Sequence, residues 1–393
     1  MPWNWQQPDW PRFRWDAARL TKAEERFLLA AGRVVGSVKH VAEGDRDRLR
    51  VEALIDEALT TSEIEGELLD RDSVQSSIRR RLGWGGQTDT PPKPPKSAEE
   101  GISEVMVDLF RNPRRPLSHK TLFAWHKMVT RGRTDLRDVG RYRTHKEPMQ
   151  VVSGRVYEPK VHFEAPPSSR VPREMGRFIA WFNATSPTGK TPLPPLTRAG
   201  LAHFYFESIH PFEDGNGRIG RAIAENSLAQ ALGRPSLIAL AATILARQRE
   251  YYAALEVANK RNEVTDWLAW FAGVTLEAQL RTLANVEFLI DKTKLLERVR
   301  ADLNPRQSKV LLRVLAEGPE GFTGGLSAGK YVAIAKTSPA TASRDLAGLV
   351  GLGVLTRTGE KKHTRYHPVI PARPIPRVTV NARGEVVETV RKS

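Results

Sequence analysis

Residues 210–221 read His-Pro-Phe-Glu-Asp-Gly-Asn-Gly-Arg-Ile-Gly-Arg, HPFEDGNGRIGR in one-letter code. The stretch joins two helical patterns, Leu196–Ile209 before it and Gly217–Leu232 after it. Gly215 and Gly217 flank Asn216 where the chain must turn sharply, and successive backbone N–H groups in such a turn form an anion nest. A helix starting at about Gly217 adds its positive end to that nest. Arg218 and Arg221 are three apart, so they leave one side of the helix toward the same anion, and two arginines beside a nest suit a polyphosphate. Asp214 offers an oxygen ligand next to it, which is how Mg²⁺ is held by one or two carboxylates plus substrate phosphates. His210 can reach the same centre as a general base, histidine being suited to proton transfer near neutral pH. Phe212 is expected to face the core.

The surrounding chain bounds what this turn can serve. It has 393 residues, 40% of them hydrophobic, enough for two or three domains with true cores. The absence of cysteine excludes disulfides, thiolate zinc sites and a cysteine nucleophile. The opening MPWNWQQPDWPRFRWDAARL has charges and four tryptophans but no apolar signal-peptide core, and no later run approaches the ~20 apolar residues of a membrane span. A soluble cytoplasmic protein is expected, with no membrane partner. Net charge is +16, and residues 301–393 hold 15 Lys+Arg against 7 Asp+Glu, a surplus that suits a polyanion or simply a solubilising surface.

Along the chain, Trp3, Trp5, Trp10 and Trp15 interleave with prolines in an N-terminal cap, followed by a helical pattern near Leu20–Val34. A second helix carries Val51, Leu54, Ile55 and Ala58 and ends toward Gly66, with Glu63 and Glu65 in its last turn. Gly83–Lys96 is a proline and glycine linker, which divides residues 1–97 from a domain over 98–290. Within 141–163, Val151 and Val152, then Ser153-Gly154, then Val156 and Tyr157 predict a short hairpin closed at the glycine. Helical periodicity continues through Met175–Phe182 and Ala239–Phe271. Residues 300–370 predict helices over Gln307–Leu315, Lys330–Ala335 and Pro339–Val350 and then a two-stranded wing. This pattern resembles a winged helix-turn-helix that would present Thr341, Ser343 and Arg344 to a DNA groove. Such modules also mediate protein contacts, and both readings stand. Residues 371–393 are expected to be a mobile basic tail. The fold class is mainly α.

The segment 210–221 resembles the Fic motif, HxFx(D/E)GNGRxxR, at every specified position. Eight specified residues in twelve positions recur by chance far less than about once in a million chains. The resemblance implies a Fic-type helical core with a β-hairpin flap and transfer of AMP from ATP, with Mg²⁺ or Mn²⁺, to a Ser, Thr or Tyr hydroxyl of a protein, itself included. It makes His210 the base, Asp214 the metal ligand and Gly215, Asn216 and Gly217 the phosphate cradle. Arg218 and Arg221 become the β- and γ-phosphate clamps, with Ile219 and Gly220 lying between them. The related Doc kinases carry alanine and lysine in place of the two glycines, so AMP transfer is favoured over phosphorylation. Thr61-Ser62-Glu63-Ile64-Glu65-Gly66 is similar to the inhibitory motif (S/T)xxxE(G/N), which makes Glu65 a brake on Arg221. The resemblance further implies that Val151, Val152, Ser153 and Gly154 belong to a flap that aligns a target strand, that Tyr251 and Asn259 contact adenosine, and that the protein forms a homodimer. Two alternatives share these residues: a DNA-binding regulator whose Fic domain senses nucleotide, and a net remover of AMP.

Overall fold

The structure is a computed structural model that describes residues 2–39, 43–84, 96–155, 158–322 and 324–390. The chain divides into two compact units, one formed by Met1–Gly32, Gly44–Gln279 and Val378–Thr389, the other by Arg33–Glu43, Leu280–Arg377 and Val390–Ser393. Helices come in the order α1 (Thr21–Lys39), α2 (Glu43–Ile64), α3 (Arg71–Leu82), α4 (Ser97–Arg111) and α5 (His119–Val129). The antiparallel strands β1 (Gln150–Arg155) and β2 (Glu158–Glu164) follow. Then come α6 (Val171–Ala184), α7 (Pro195–Ile209), α8 (Asn216–Leu232), α9 (Leu240–Ala246), α10 (Gln248–Ala258) and α11 (Thr265–Val299). Among the described residues no helix is long and apolar enough to cross a membrane.

In the first unit α7 is the central helix, since residues 196–209 are all buried. It packs against α8, and Phe178, Phe182, Phe206, Phe212 and Trp125 fill the space around the pair. Each buried aromatic of this kind stabilises by about 1.5–3 kcal/mol relative to exposure. The tryptophan-rich start is part of this unit. Trp5 donates its indole N–H to the Glu164 carbonyl at 2.6 Å, and Trp3 meets Phe163 edge-on at 5.4 Å, so the N-terminus holds the base of β2.

The second unit contains α12 (Pro305–Leu315), α13 (Ala328–Ala335) and α14 (Pro339–Gly351), then the antiparallel pair β3 (Leu355–Thr358) and β4 (Arg365–Pro368). Its own core gathers Val310, Leu311, Tyr331, Leu346, Leu349 and Val354. Asn304, Ser327 and Ser338 cap the three helices through their side chains. On α14, Ser343 and Arg344 are exposed and Thr341 is half-buried.

Three expectations need correction. The helical stretch over Ala239–Phe271 is three helices. The gap between α10 and α11 is occupied by the N-terminal segment, where Arg14 N–H donates to Asn262 at 2.8 Å and Val264 N–H to Arg14 at 2.9 Å. That partner is some 250 residues away in sequence, beyond the reach of periodicity. The hairpin does not close at Gly154, which lies within β1 opposite Pro159, with Arg155 and Glu158 still paired beyond it. Val156 and Tyr157 lie outside the described residues, as do 85–95 of the expected linker. The basic tail is instead, over 377–389, a hairpin of β5 (Arg377–Val380) and β6 (Val386–Thr389). Val378 is fully buried, donates to Glu277 at 3.1 Å and accepts from Arg247 at 3.0 Å. Gly273 allows this approach, because a Cβ there would lie 2.8 Å from the Val378 carbonyl oxygen.

Candidate active site

The turn between α7 and α8 is held by contacts to its backbone and side chains. His210 caps α7 in the left-handed region, φ 48° and ψ 61°, a conformation costing a non-glycine residue about 1–2 kcal/mol. Neighbours hold it there: its N–H donates to Phe206 at 2.9 Å, its carbonyl accepts from Arg143 Nε at 2.9 Å, and Arg143 N–H donates to Pro211 at 3.0 Å. Asn216 clasps the turn reciprocally, accepting from Phe212 N–H at 2.9 Å and donating to the Phe212 carbonyl at 2.8 Å. Phe212 is buried and stacks on His126 at 4.2 Å, and burial lowers the His126 pKa to about 4, so that ring is neutral.

Gly215 starts α8 at φ 79°, where a Cβ would also lie 2.9 Å from Val129 Cγ2. No side chain caps this helix, so its first N–H groups and its dipole face the site. Asp214 sits beside them, one carboxylate oxygen accepting from Gly215 N–H at 2.5 Å and the group ion-paired with Arg133.

Arg218 and Arg221 are buried, and each holds a different carboxylate rather than sharing one anion. Arg221 Nη2 meets Glu65 Oε1 at 2.8 Å and the Thr61 carbonyl at 2.7 Å, and its Nε donates to Thr61 Oγ1 at 2.7 Å. Burial opposes the charge of Arg221, and Glu65 beside it more than restores it, so its pKa is raised. Arg218 Nη1 meets Glu67 Oε2 at 2.6 Å. The Glu65 carboxylate reaches into the turn itself: a Cβ on Gly217 would lie 2.2 Å from Glu65 Oε1. Its loop is secured from α10, where Gln248 and Tyr252 donate to the Ile64 carbonyl at 2.9 and 3.2 Å.

On the flap, Val151 and Val152 are exposed, and the hairpin is pinned to α10 through Ser153 Oγ to His162 Nε2 at 2.6 Å and His162 Nδ1 to Glu256 at 2.7 Å. Tyr251 and Asn259 are both buried and already engaged, Tyr251 OH with His203 at 2.8 Å and Asn259 with Ser208 at 3.3 Å. Neither presents a free edge in this state; the exposed tyrosine of the pair is Tyr252. Ile219 and Gly220 are buried in α8. Sequence reasoning missed Glu67, Tyr252, Gln248 and Arg133. Only Glu67 had a local signal, its closeness to Glu65.

Comparison with known proteins agrees with this geometry. Residues 116–228 match the Fic/DOC family, and residues 3–84 match a domain of unknown function (DUF4172). The protein adenylyltransferase fic-1 of Caenorhabditis elegans is 27% identical over 199 residues, 51% of this chain and 35% of that protein. The protein adenylyltransferase Fic of Drosophila willistoni is 24% identical over 302 residues, 76% and 56% of the two chains. The chain thus spans between about a third and just over half of those relatives' length. The crystal structure of a Fic family protein from Desulfovibrio desulfuricans G20 superposes with a TM-score of 0.50 at 21% identity, covering 89% of this chain and 97% of that one, a likeness of fold. Residues 116–228 of this chain thus carry the match to the Fic/DOC family, and the turn within them is complete at every position of the Fic motif.

Proposed function

We propose that the site transfers AMP from ATP to a Ser, Thr or Tyr hydroxyl of a protein, with this chain among its own targets, and that the turn at 65–67 restrains it. The observation that carries the reading is an uncapped α8 N-terminus with His210 on one side and two buried arginines on the other. The N–H groups of the turn bind phosphate oxygens, and Arg218 and Arg221 neutralise the β- and γ-phosphates. The hydroxyl oxygen attacks the α-phosphorus in line as the bond to the β-phosphate oxygen breaks. Pyrophosphate leaves, and the hydroxyl proton passes to His210.

The donor set fits a divalent cation that arrives with the nucleotide: Asp214 is a single partly exposed carboxylate, and the described residues contain no group of three or more acidic, His or Cys ligands. Such an ion would neutralise charge on the phosphates. Asp214 would hold it once Arg133 gives way.

Restraint follows from competition, because two carboxylates sit on the groups the triphosphate needs. Releasing one partly exposed ion pair of this kind is worth about 1 kcal/mol, or several-fold. The test is intact mass after incubation with ATP and Mg²⁺ of wild type, Glu65→Gly and Glu65→Gly/His210→Ala. Addition of one AMP to Glu65→Gly alone supports enzyme, brake and base together; equal addition to the double variant removes His210 from the mechanism. If Glu65 also positions water, AMP-modified protein will lose its AMP in wild type and keep it in Glu65→Gly.

A second reading concerns residues 300–370. The exposed Ser343 and Arg344 on α14 and the basic surplus of this region fit a winged helix-turn-helix that meets a DNA groove. Binding of duplex DNA by the full chain, weakening steeply with salt and lost in Arg344→Glu, supports it; salt-independent or absent binding assigns the module to protein contacts.

A further inference from the structure

A buried carboxylate behind His210 takes no part in the mechanism above. Glu207 lies on α7 three residues before His210, so both side chains leave the same face of its last turn. Glu207 Oε2 stands 3.6 Å from His210 Nδ1, just beyond hydrogen-bond length, and catalytic contacts of this kind shorten when substrate is bound. The other oxygen, Oε1, has no hydrogen-bond partner. Gly220 on α8 makes room for it, because a Cβ there would lie 2.3 Å from Oε1.

The groups facing Glu207 are His203 and His210 from its own helix, Arg221 from α8 and Tyr251 and Tyr252 from α10. Burial pushes its carboxyl up, but the contact with His210 and the charges of His203, His210 and Arg221 outweigh that, so it lies below the ordinary glutamate value. Of these neighbours, His203 has its Nε2 on Tyr251 OH at 2.8 Å and Arg221 binds Thr61 and Glu65, while His203 Nδ1 and Arg221 Nη1 make no hydrogen bond, to Glu207 or to any other group. A buried, ionised carboxylate with one oxygen unpaired is costly, and an imidazole gaining a proton beside it offsets that cost. The backbone of His210 is already clamped, which leaves only its ring orientation and tautomer to be set.

We propose that Glu207 is a positioning residue for His210. Its carboxylate accepts the Nδ1–H, which leaves the Nε2 lone pair for the incoming hydroxyl and stabilises the imidazolium formed when that proton arrives. Glu207 itself stays ionised. The arrangement follows the logic by which a buried aspartate orients the histidine of a serine hydrolase, here on a helix end rather than across a fold.

The proposal rests on the transfer reading, so its test has a readout that needs no transfer. Nitrogen NMR of the His210 imidazole in the full chain, assigned with His210→Gln, should show the Nδ1–H tautomer in wild type and a loss of that preference in Glu207→Leu. In the Glu65→Gly background, Glu207→Gln should lower kcat about 100-fold with little change in KM for ATP, move the acid limb of the pH profile to lower pH, and be partly rescued by Glu207→Asp. An unchanged tautomer in Glu207→Leu, or in Glu207→Gln an unchanged acid limb with full kcat, overturns the proposal. Should Glu207→Leu not fold, the charge-neutral Glu207→Gln and its pH profile decide. Absence of AMP transfer from every variant removes the transfer reading, while the tautomer still decides the pairing.

Discussion

Two turns meet at the same pair of arginines and are built in opposite ways. The turn at 210–217 is clasped by Asn216, stacked through Phe212 and clamped by Arg143, with its backbone held in place on each side. The turn at 65–67 projects outward: Gly66 takes φ 81°, Leu68 is 84% exposed, and the Glu65 and Glu67 side chains are about one-third exposed. Its own backbone is held mainly by the Ser62 carbonyl, which accepts from Glu65 and Glu67 N–H at 3.0 Å each. A cradle for a charged transition state works by not reorganising, whereas a brake works only if something can lift it. On the function proposed here, those duties fall to a buried turn and an exposed one.

The largest way to break the comparison is Gly217→Ala in the Glu65→Gly background. Its methyl would stand where the Glu65 oxygen now sits, which is where a phosphate oxygen is expected, so ATP affinity should fall about 10- to 100-fold by calorimetry. Affinity equal to that of Glu65→Gly would mean the anion binds elsewhere. A smaller effect sharpens the other side. Glu67→Gln frees Arg218 and should raise AMP transfer several-fold, and adding it to Glu65→Gly should exceed either alone in initial rate, since a partly exposed ion pair is worth about 1 kcal/mol. If the double variant only equals Glu65→Gly, a single contact is the whole brake.

The smallest effect lies behind the brake helix. Glu57 on α2 and Glu225 on α8 line a cavity of about 20 Å³, room for one water molecule. Burial pushes Glu225 up to about 7 from its ordinary 4.5, partly offset by the Ser236 hydroxyl, and burial with the Glu225 charge also raises Glu57. Because the folded state binds the proton more tightly than the unfolded chain, this group's stabilisation is full below pH 4.5 and is lost as pH rises through 7. Glu225→Gln should therefore match wild type in melting temperature near pH 4.5 and exceed it by a few degrees at pH 8. Equal melting curves at both pH values would show that the pair carries no such proton.

The turn at 210–221 was legible because its chemistry is local: glycines, an uncapped helix start and two arginines three apart state their geometry within twelve residues. The pairing of Glu65 with Arg221 was anticipated only through the resemblance of residues 61–66 to a family motif, since the two residues lie far apart in the chain. Helix positions in 305–351 followed from the sequence pattern, and the structure adds the serine and asparagine caps that start them. The hairpin's closing point was misread because a Ser-Gly pair looks like a turn, while cross-strand pairing carries Gly154 straight through.

By itself, then, the sequence determined a mainly helical chain and the turn at 210–221, whose pattern is set by neighbours within twelve residues, while the roles proposed for His210, Arg218, Arg221 and Glu65 come from the resemblance that pattern carries. Only the tertiary structure decided which carboxylate meets which arginine, that Tyr251 and Asn259 are buried while Tyr252 holds the Ile64 carbonyl, and that the last strands dock on Glu277 and Arg247. The physical reason is distance along the chain. These contacts join residues from 48 to 188 positions apart, and pairing over such separations depends on how whole helices pack, which no window of sequence contains.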